Sequence, residues 1–402
     1  MTTILRKITK CIFAVAVFKL ILVSSVWAAP QKVVWAGFAF LSDYSDLGNE
    51  FYYSSQISQI EDGTKLKKIL REKVKTVSNS KIKILNQGNF EAGETIALAL
   101  AIDWEDVCQE QLTSDLIKIV LNLHAQILVY DFNSMQVIAT FPFGVRVNDV
   151  AKTSPDKKHI QKLFEQLYFA KIGNINFLDE FITRLQQIEI KESYNHRIKV
   201  TEVVIGNKSY DYMTTDVKNN LAAYKTFVAQ QFSSFLSTNQ NIAVLPYTQK
   251  DERGQQRIKG QAITGKMPVC FDNQKVLNLE VPEEDIPIKI QVRGFKKVKM
   301  GENHAESAYA YGSFIRFTVL DPLGDKVIDA KFKNAAVKKI PATQKHITAE
   351  ADWSACEESL LVLFKELTQQ ISERSSSWIS KRTQDENVIK QLKKLEKVLK
   401  TI

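Results

Sequence analysis

The feature that most restricts what this chain can become is an order of elements that runs twice. Residues 30–195 open on the apolar, β-forming run "KVVWAGFAFL". They continue into "ISQIEDGTKLKKILREKVKTV", where Ile57, Ile60, Leu66, Ile69, Leu70, Val74 and Val77 recur largely at helical spacing. "KIKIL" and the alternating "IALALAIDW" follow, then "LIKIVLNLHAQILVYDF" and "QVIATFPFGVRV", whose link at Asn133-Ser134 predicts an antiparallel hairpin. Two helical stretches close the half, the first behind the N-cap-like "SPD".

Residues 196–380 repeat that order. "RIKVTEVVIG" leads into "DVKNNLAAYKTFVAQQFSSFLS", with Leu221, Tyr224, Phe227, Val228, Phe232 and Leu236 on one helical face and Asp216 in the N-cap place. "NIAVLPY" and "IPIKIQVRGFKKVKM" come next, then a hairpin of "SFIRFTVLD" and "KVIDAKFKN" across the Pro and Gly of "PLGD", and a closing helix "DWSACEESLLVLFKELTQQI". The whole predicts an α+β fold of two similar domains, each a mostly antiparallel sheet with flanking helices. Residue identities between the halves are sparse, so the repeat is one of pattern.

The first 29 residues read as a cleaved export signal. Arg6, Lys7 and Lys10 precede an apolar run from Cys11 to Trp27 that ends in small residues, with cleavage expected after Ala28 or Ala29. Lys19 divides the run into pieces too short to cross a hydrocarbon core of roughly 20 apolar residues. Losing that segment takes four cations and lowers the formal charge from +9 to +5, a mild excess that argues against a nucleic-acid partner. The expected location is the periplasm or another exported compartment.

At the other end, residues 381–402 are expected to form an amphipathic helix, with Val388, Leu392, Leu395, Leu399 and Ile402 in a narrow stripe and lysines elsewhere. Such a stripe suits docking on another subunit, contact with a membrane surface, or packing back on its own domain.

No catalytic set emerges. "GQAITGKM" places Gly260, Gly265 and Lys266 as in a phosphate-cradling loop, but Met267 stands where a magnesium-binding hydroxyl is required and Pro268 blocks a following helix. His124, His159, His196, His304 and His346 never fall three or four apart, the spacing that brings two rings together on a helix face. Glu283-Glu284-Asp285 reads as a solvated turn, and the alternation in "RGFKKVKM" as a strand with one wet face. Neither a catalytic residue, a metal ligand nor a cofactor is expected.

Three cysteines outlast export, so at most one pair can form. Cys356 shares a helix face with Trp353, Leu360, Leu363, Leu367 and Ile371 and reads as a small buried hydrophobe, leaving Cys108 and Cys270 as the candidate disulfide across the halves. Cys108 and Cys356 belong to two similar stretches, "DWEDVC" and "DWSAC". The first is expected to end a strand and the second to open a helix capped by Asp352, so their likeness reads as coincidence.

The strands "KVVWAGFAFL" and "RIKVTEVVIG", each followed by an amphipathic helix and a hairpin such as "TVLDPLGDKVIDAKF" with Asp321, Gly324 and Asp325, resemble the small α+β domains of the TolB N-terminal and CsgG type. The resemblance lies in layout, would cover most of the mature chain as two tandem copies, and implies an envelope protein that works by contacts in secretion or basal-ring assemblies. It carries over no catalytic residue. The expected function is therefore an exported, non-enzymatic scaffold or adaptor, with envelope proteins or further copies of itself as partners. The competing expectation is an enzyme or small-ligand binder with its site between the halves, where clefts commonly form.

Overall fold

A computed structural model describes residues 30–85, 95–113, 115–191, 193–250, 256–258, 261–263, 266–271, 274–341 and 348–402. The expected export segment, His346 and the two glycines of the phosphate-loop lookalike, Gly260 and Gly265, lie outside the described residues.

The first half begins with β1 (Gln31–Phe40), α1 (Tyr52–Ser58), α2 (Thr64–Lys75) and β2 (Ile82–Leu85). A long meander follows, β3 (Ile96–Thr113), β4 (Leu116–Asp131) and β5 (Gln136–Ala151), then α3 (Lys157–Phe169) and α4 (Phe177–Gln187). Asp156 and Asn176 cap the last two helices by accepting from the backbone N–H of His159 and Asp179. The second half supplies β6 (Ile198–Ile205), α5 (Leu221–Gln240), a short ribbon of β7 (Gln249–Lys250), β8 (Gln256–Ile258) and β9 (Gln261–Ile263), and the pair β10 (Lys266–Phe271) and β11 (Val276–Glu280). Its own meander is β12 (Ile286–Glu302), β13 (Glu306–Leu320) and β14 (Lys326–Pro341), followed by α6 (Ala349–Glu373), α7 (Ser376–Arg382) and α8 (Val388–Leu399).

The two sheets share one topology. The first runs β5-β4-β3-β1 and the second β14-β13-β12-β6, with an antiparallel meander and a parallel partner for its first strand in each case. Both first-meander strands carry a bulge, between Ile102 and Trp104 in β3 and between Val292 and Gly294 in β12. The fold is thus α+β in two similar halves, as the element order predicts.

The sequence division near residue 195 does not separate the two sheets. β10 and β11, well inside the second half, join the first sheet: β10 pairs with β1 at Ala39↔Phe271 and Phe40↔Cys270, and β11 meets the start of β5 at Glu280↔Gln136. The small side chains of Ala97, Ala99 and Ala101 let this hairpin lie close over β3, and Met267, Val269, Leu277 and Leu279 fill the space between. The element order read from periodicity does not include this hairpin, and no period says which sheet such strands enter.

Three other details differ from the pattern reading. "DWEDVC" does not end a strand but lies mid-way along β3, which continues to Thr113. Asp216 sits in a separate turn, Thr215–Asn219, and Asn220 precedes α5. Thr348 rather than Asp352 caps α6, since the helix starts three residues before Asp352; that carboxylate instead accepts from Tyr311 Oη (2.6 Å) and Lys297 Nζ (2.7 Å). The stripe of α8 is occupied within the chain, where Val388, Leu392, Leu395, Leu399 and Ile402 join the core beneath β14 and α6. Among the described residues no helix is long and apolar enough to cross a membrane.

Candidate functional site

α5 is the partition of the molecule. Phe232 packs on Phe317 of β13 and Phe364 of α6, with ring centroids 5.2 and 5.3 Å away, while Gln230 and Gln231 of the same helix face the first sheet. The sheet meets them with a buried polar layer. Gln231 Nε2 lies 2.6 Å from His124 Nε2, and Gln126 and Gln230 both donate to Asp103 Oδ2, at 2.7 and 3.2 Å. Burial, with Arg146 nearby, pushes His124 down to about 4, so its ring is neutral near pH 7 and partnered by Gln231. The ring lies on Gly144, where a Cβ would come within 2.6 Å of it.

Beyond that layer the halves part to form a cleft of about 400 Å³. Each wall is an ordinary consequence of local periodicity. Alternation along β3, re-aimed by its bulge, presents Trp104, Asp106, Cys108 and Glu110; α5 presents Asn220, Ala223, Tyr224 and Phe227, and α6 presents Glu350, Trp353, Ser354 and Glu357. Arg146 of β5 completes the lining. At one end the buried Glu110 carboxylate holds Lys118 at 3.6 Å and Lys338 of β14 at 2.5 Å, tying the second sheet to the first.

The aromatic residues form a continuous wall. Trp104 lies 6.0 Å from Phe227, Phe227 6.0 Å from Tyr224, and Tyr224 5.2 Å from Trp353, centroid to centroid. Next to that wall, Asp106 accepts from Asn122 Nδ2 and from Cys108 Sγ, both at 3.2 Å, and Glu357 Oε2 lies 3.5 Å from Arg146 Nη1. Burial raises Glu357 to about 7 against the opposing pull of Arg146, with Asp106 adding to the rise. Crowding by the cleft walls, then the charges of Asp106 and Glu357, also hold the Cys108 thiol well above its usual range although its surface is open to solvent. A thiol so raised is a poor nucleophile. The Tyr224 hydroxyl is buried and has no hydrogen-bond partner among the described residues, a costly state for a polar group.

The candidate disulfide is not brought together. Cys108, Cys270 and Cys356 are all free thiols. Cys270 lies opposite Phe40, which pairs in turn with Ile102, and Cys108 is a further six residues along β3. At roughly 3.3 Å per residue that is about 20 Å, far outside bridging range. Cys356 is fully buried in the second core, as its helix face predicts. No group of three or more potential metal-ligating side chains occurs among the described residues.

Sequence reasoning passed over Glu357 and Arg146, which stand alone in the chain and share no spacing, and read Tyr224 only as part of a helix face. The one available signal was the pair of "DW" stretches, whose tryptophans line the same cleft from a strand and from a helix. They are not equivalent positions of a duplication, yet they meet.

A second surface stands out. The face of the second sheet away from α6 is largely uncovered, with Lys208 of the short helix Asn207–Tyr210 over Gly294 and residues 382–385 beside its Arg316 end. It carries Arg293, Lys296, Val298 and Met300 of β12, Arg316 of β13, and Lys331, Lys333, Ala335, Val337 and Lys339 of β14, all exposed, around a half-buried Phe314. Val298, Ala310 and Val337 lie in cross-strand register and form an apolar row. Arg316 is engaged by Asp329 in a two-point pair at 2.6 and 2.7 Å, whereas the side chains of Arg293, Lys296, Lys331 and Lys333 form no ion pair among the described residues.

Comparison with known proteins gives little more. No family model matches the chain, and no curated protein matches it. Among solved structures, a minor lipoprotein from Acinetobacter baumannii aligns over 46% of this chain and 94% of its own, at 12% identity and a TM-score of 0.20. An NTF2-like protein involved in plasmid conjugation aligns over 62% of this chain and 80% of its own, at 9% identity and a TM-score of 0.12. Neither is described as a TolB N-terminal or CsgG-type domain, and scores this low carry no argument about fold or role.

Proposed function

We propose that this chain is an exported, non-enzymatic adaptor that works by protein-protein contact in a cell-envelope assembly of secretion or basal-ring type. The supporting observation is the uncovered face of the second sheet. An isolated basic residue on a surface is unremarkable, but a flat face with four unengaged cations around an apolar row from Val298 to Val337 combines charge steering with dry contact area. Its chemistry fits an acidic partner surface. The first sheet offers nothing comparable, since helices cover one face and the β10–β11 hairpin, α5 and α6 cover most of the other.

Site-specific photo-crosslinking in cells tests this reading. A crosslinker at Val298 or Lys333 is expected to trap an envelope protein, one at Lys68 on the outer helix layer is expected not to, and Arg293→Glu with Lys331→Glu should abolish the adduct. A protein that remains monomeric and uncrosslinked from the open face overturns the proposal.

One observation favours a second reading, that of a small-ligand binder. The cleft between the halves buries a polar Tyr224 hydroxyl without a partner among the described residues and a carboxyl, Glu357, raised to about 7. Groups left in such states are what a bound ligand satisfies.

A further inference from the structure

We infer that the cleft between the halves binds a small organic cation, an ammonium or guanidinium group held against the Trp104-Phe227-Tyr224-Trp353 wall and the carboxylates of Asp106 and Glu357. This inference rests on the ligand-binding reading and names the chemical class of its ligand.

The geometry supports a cation on three independent counts. An aromatic ring attracts positive charge to its face through its quadrupole, and four consecutive rings from β3, α5 and α6 with centroids 5.2 to 6.0 Å apart give a ligand several such faces. The charges beside the wall are predominantly acidic: Asp106 and Glu357 adjoin it, Glu350 and Asp216 lie at its margin, and Arg146 is the single cation of the lining. Arg146 is 3.5 Å from Glu357, a long contact that leaves the carboxylate partly uncompensated. Finally, the Tyr224 hydroxyl is more than nine-tenths buried in the same lining and unpartnered among the described residues, so a ligand N–H would find an acceptor there. A cleft of about 400 Å³ is large enough for a compact amine and small for a peptide.

Binding should also move a proton. The groups that face Glu357 are Arg146 of β5, Asp106 and Cys108 of β3, and Tyr224 of α5. Glu357 is half protonated near pH 7, and a cation favours its ionised form, so association near neutrality releases a proton and tightens as pH rises. No covalent step is involved.

The test uses the full mature chain and three probes of matched size: choline, its neutral isostere 3,3-dimethyl-1-butanol, and isovalerate as the anion. Fluorescence of the cleft tryptophans and calorimetry are the readouts. Choline is expected to bind with at least tenfold preference over the other two, to release a proton at pH 7 in buffers of different ionisation enthalpy, and to weaken at least tenfold in Glu357→Gln and several-fold in Tyr224→Phe. Thermal melts of the variants establish that they are folded, and Asp106→Asn serves as a second acid variant if Glu357→Gln is not. Equal or tighter binding of the neutral or anionic probe, lost in the cleft variants, overturns the cation assignment and leaves the ligand-binding reading standing. Absence of binding by all three probes overturns both.

Discussion

Two sheets built on one four-strand order, which the first extends with β2, β10 and β11, meet different surroundings in this protein. The back face of the first, away from α1 to α4, is covered in sequence by the β10–β11 hairpin, by α5 and by the start of α6. The corresponding face of the second sheet stays largely open to water, with only the Asn207–Tyr210 helix and residues 382–385 at its margin. Their residues differ accordingly: the covered face holds Asp103, Asn122, His124 and Gln126, all buried, and the open one holds Arg293, Lys331 and Lys333, all exposed. A duplicated fold yields two copies of one backbone and only one junction between them, so one face becomes a polar interior and its counterpart a platform.

The sharpest way to break that contrast is within α5, which serves both sheets. Phe232→Ala should cost about 3–5 kcal/mol in urea denaturation, because it opens a cavity in a fully buried aromatic cluster. Gln231→Ala, one residue earlier and facing the first sheet, should cost about 1–3 kcal/mol by leaving the His124 ring without its partner. If the second variant proved the costlier, the polar layer rather than the apolar core would be the stronger seam.

The next effect is electrostatic and depends on pH. Glu357 is raised to about 7 in the folded chain, so its contribution is greatest below about pH 4.5 and is lost as pH rises through 7. His124 is lowered to about 4, so its contribution is present above about pH 6.5 and is lost as pH falls toward 4. Between those limits the two oppose each other, and the wild-type profile should be nearly flat. Glu357→Gln should raise stability at pH 8 by up to about 3 kcal/mol and uncover a fall below pH 6.5, while His124→Gln should uncover the opposite slope. A Glu357→Gln profile that parallels the wild type from pH 4 to 8 would show that the carboxyl is not held neutral.

Gly144 offers a smaller and more local test. A Cβ there meets the His124 ring at 2.6 Å, and Gly144→Ala should cost about 1–3 kcal/mol by displacing the ring from Gln231. The mildest effect belongs to the open face, where Arg293→Ala and Lys333→Ala should shift stability by no more than about 0.5 kcal/mol, since neither side chain has an ion-pair partner among the described residues to lose. A substantial loss from either would mean that the platform is structural.

One side of this contrast was legible in the residues. "LIKIVLNLHAQILVYDF" interrupts its apolar run with Lys118, Asn122, His124 and Gln126, the alternation of a strand with one wet face, yet β4 is buried almost throughout because the other half covers it. "RGFKKVKM" and "KVIDAKFKN" alternate with lysine, and their strands have one wet face. The stripe of α8 was equally plain, but it carried no label for its partner, and packing assigned it to β14 and α6.

The sequence by itself therefore determined most of the elements, their repeated order, the α+β class and the wet face of β12, because each rests on spacing along the chain. Tertiary structure alone decided the rest. It placed β10 and β11 on the far sheet, kept Cys108 and Cys270 about 20 Å apart on the strand geometry, and brought Trp104 and Trp353 to one cleft. Contacts between residues 250 positions apart leave no period in a sequence, so a cleft assembled from a strand of one half and two helices of the other has no motif to read.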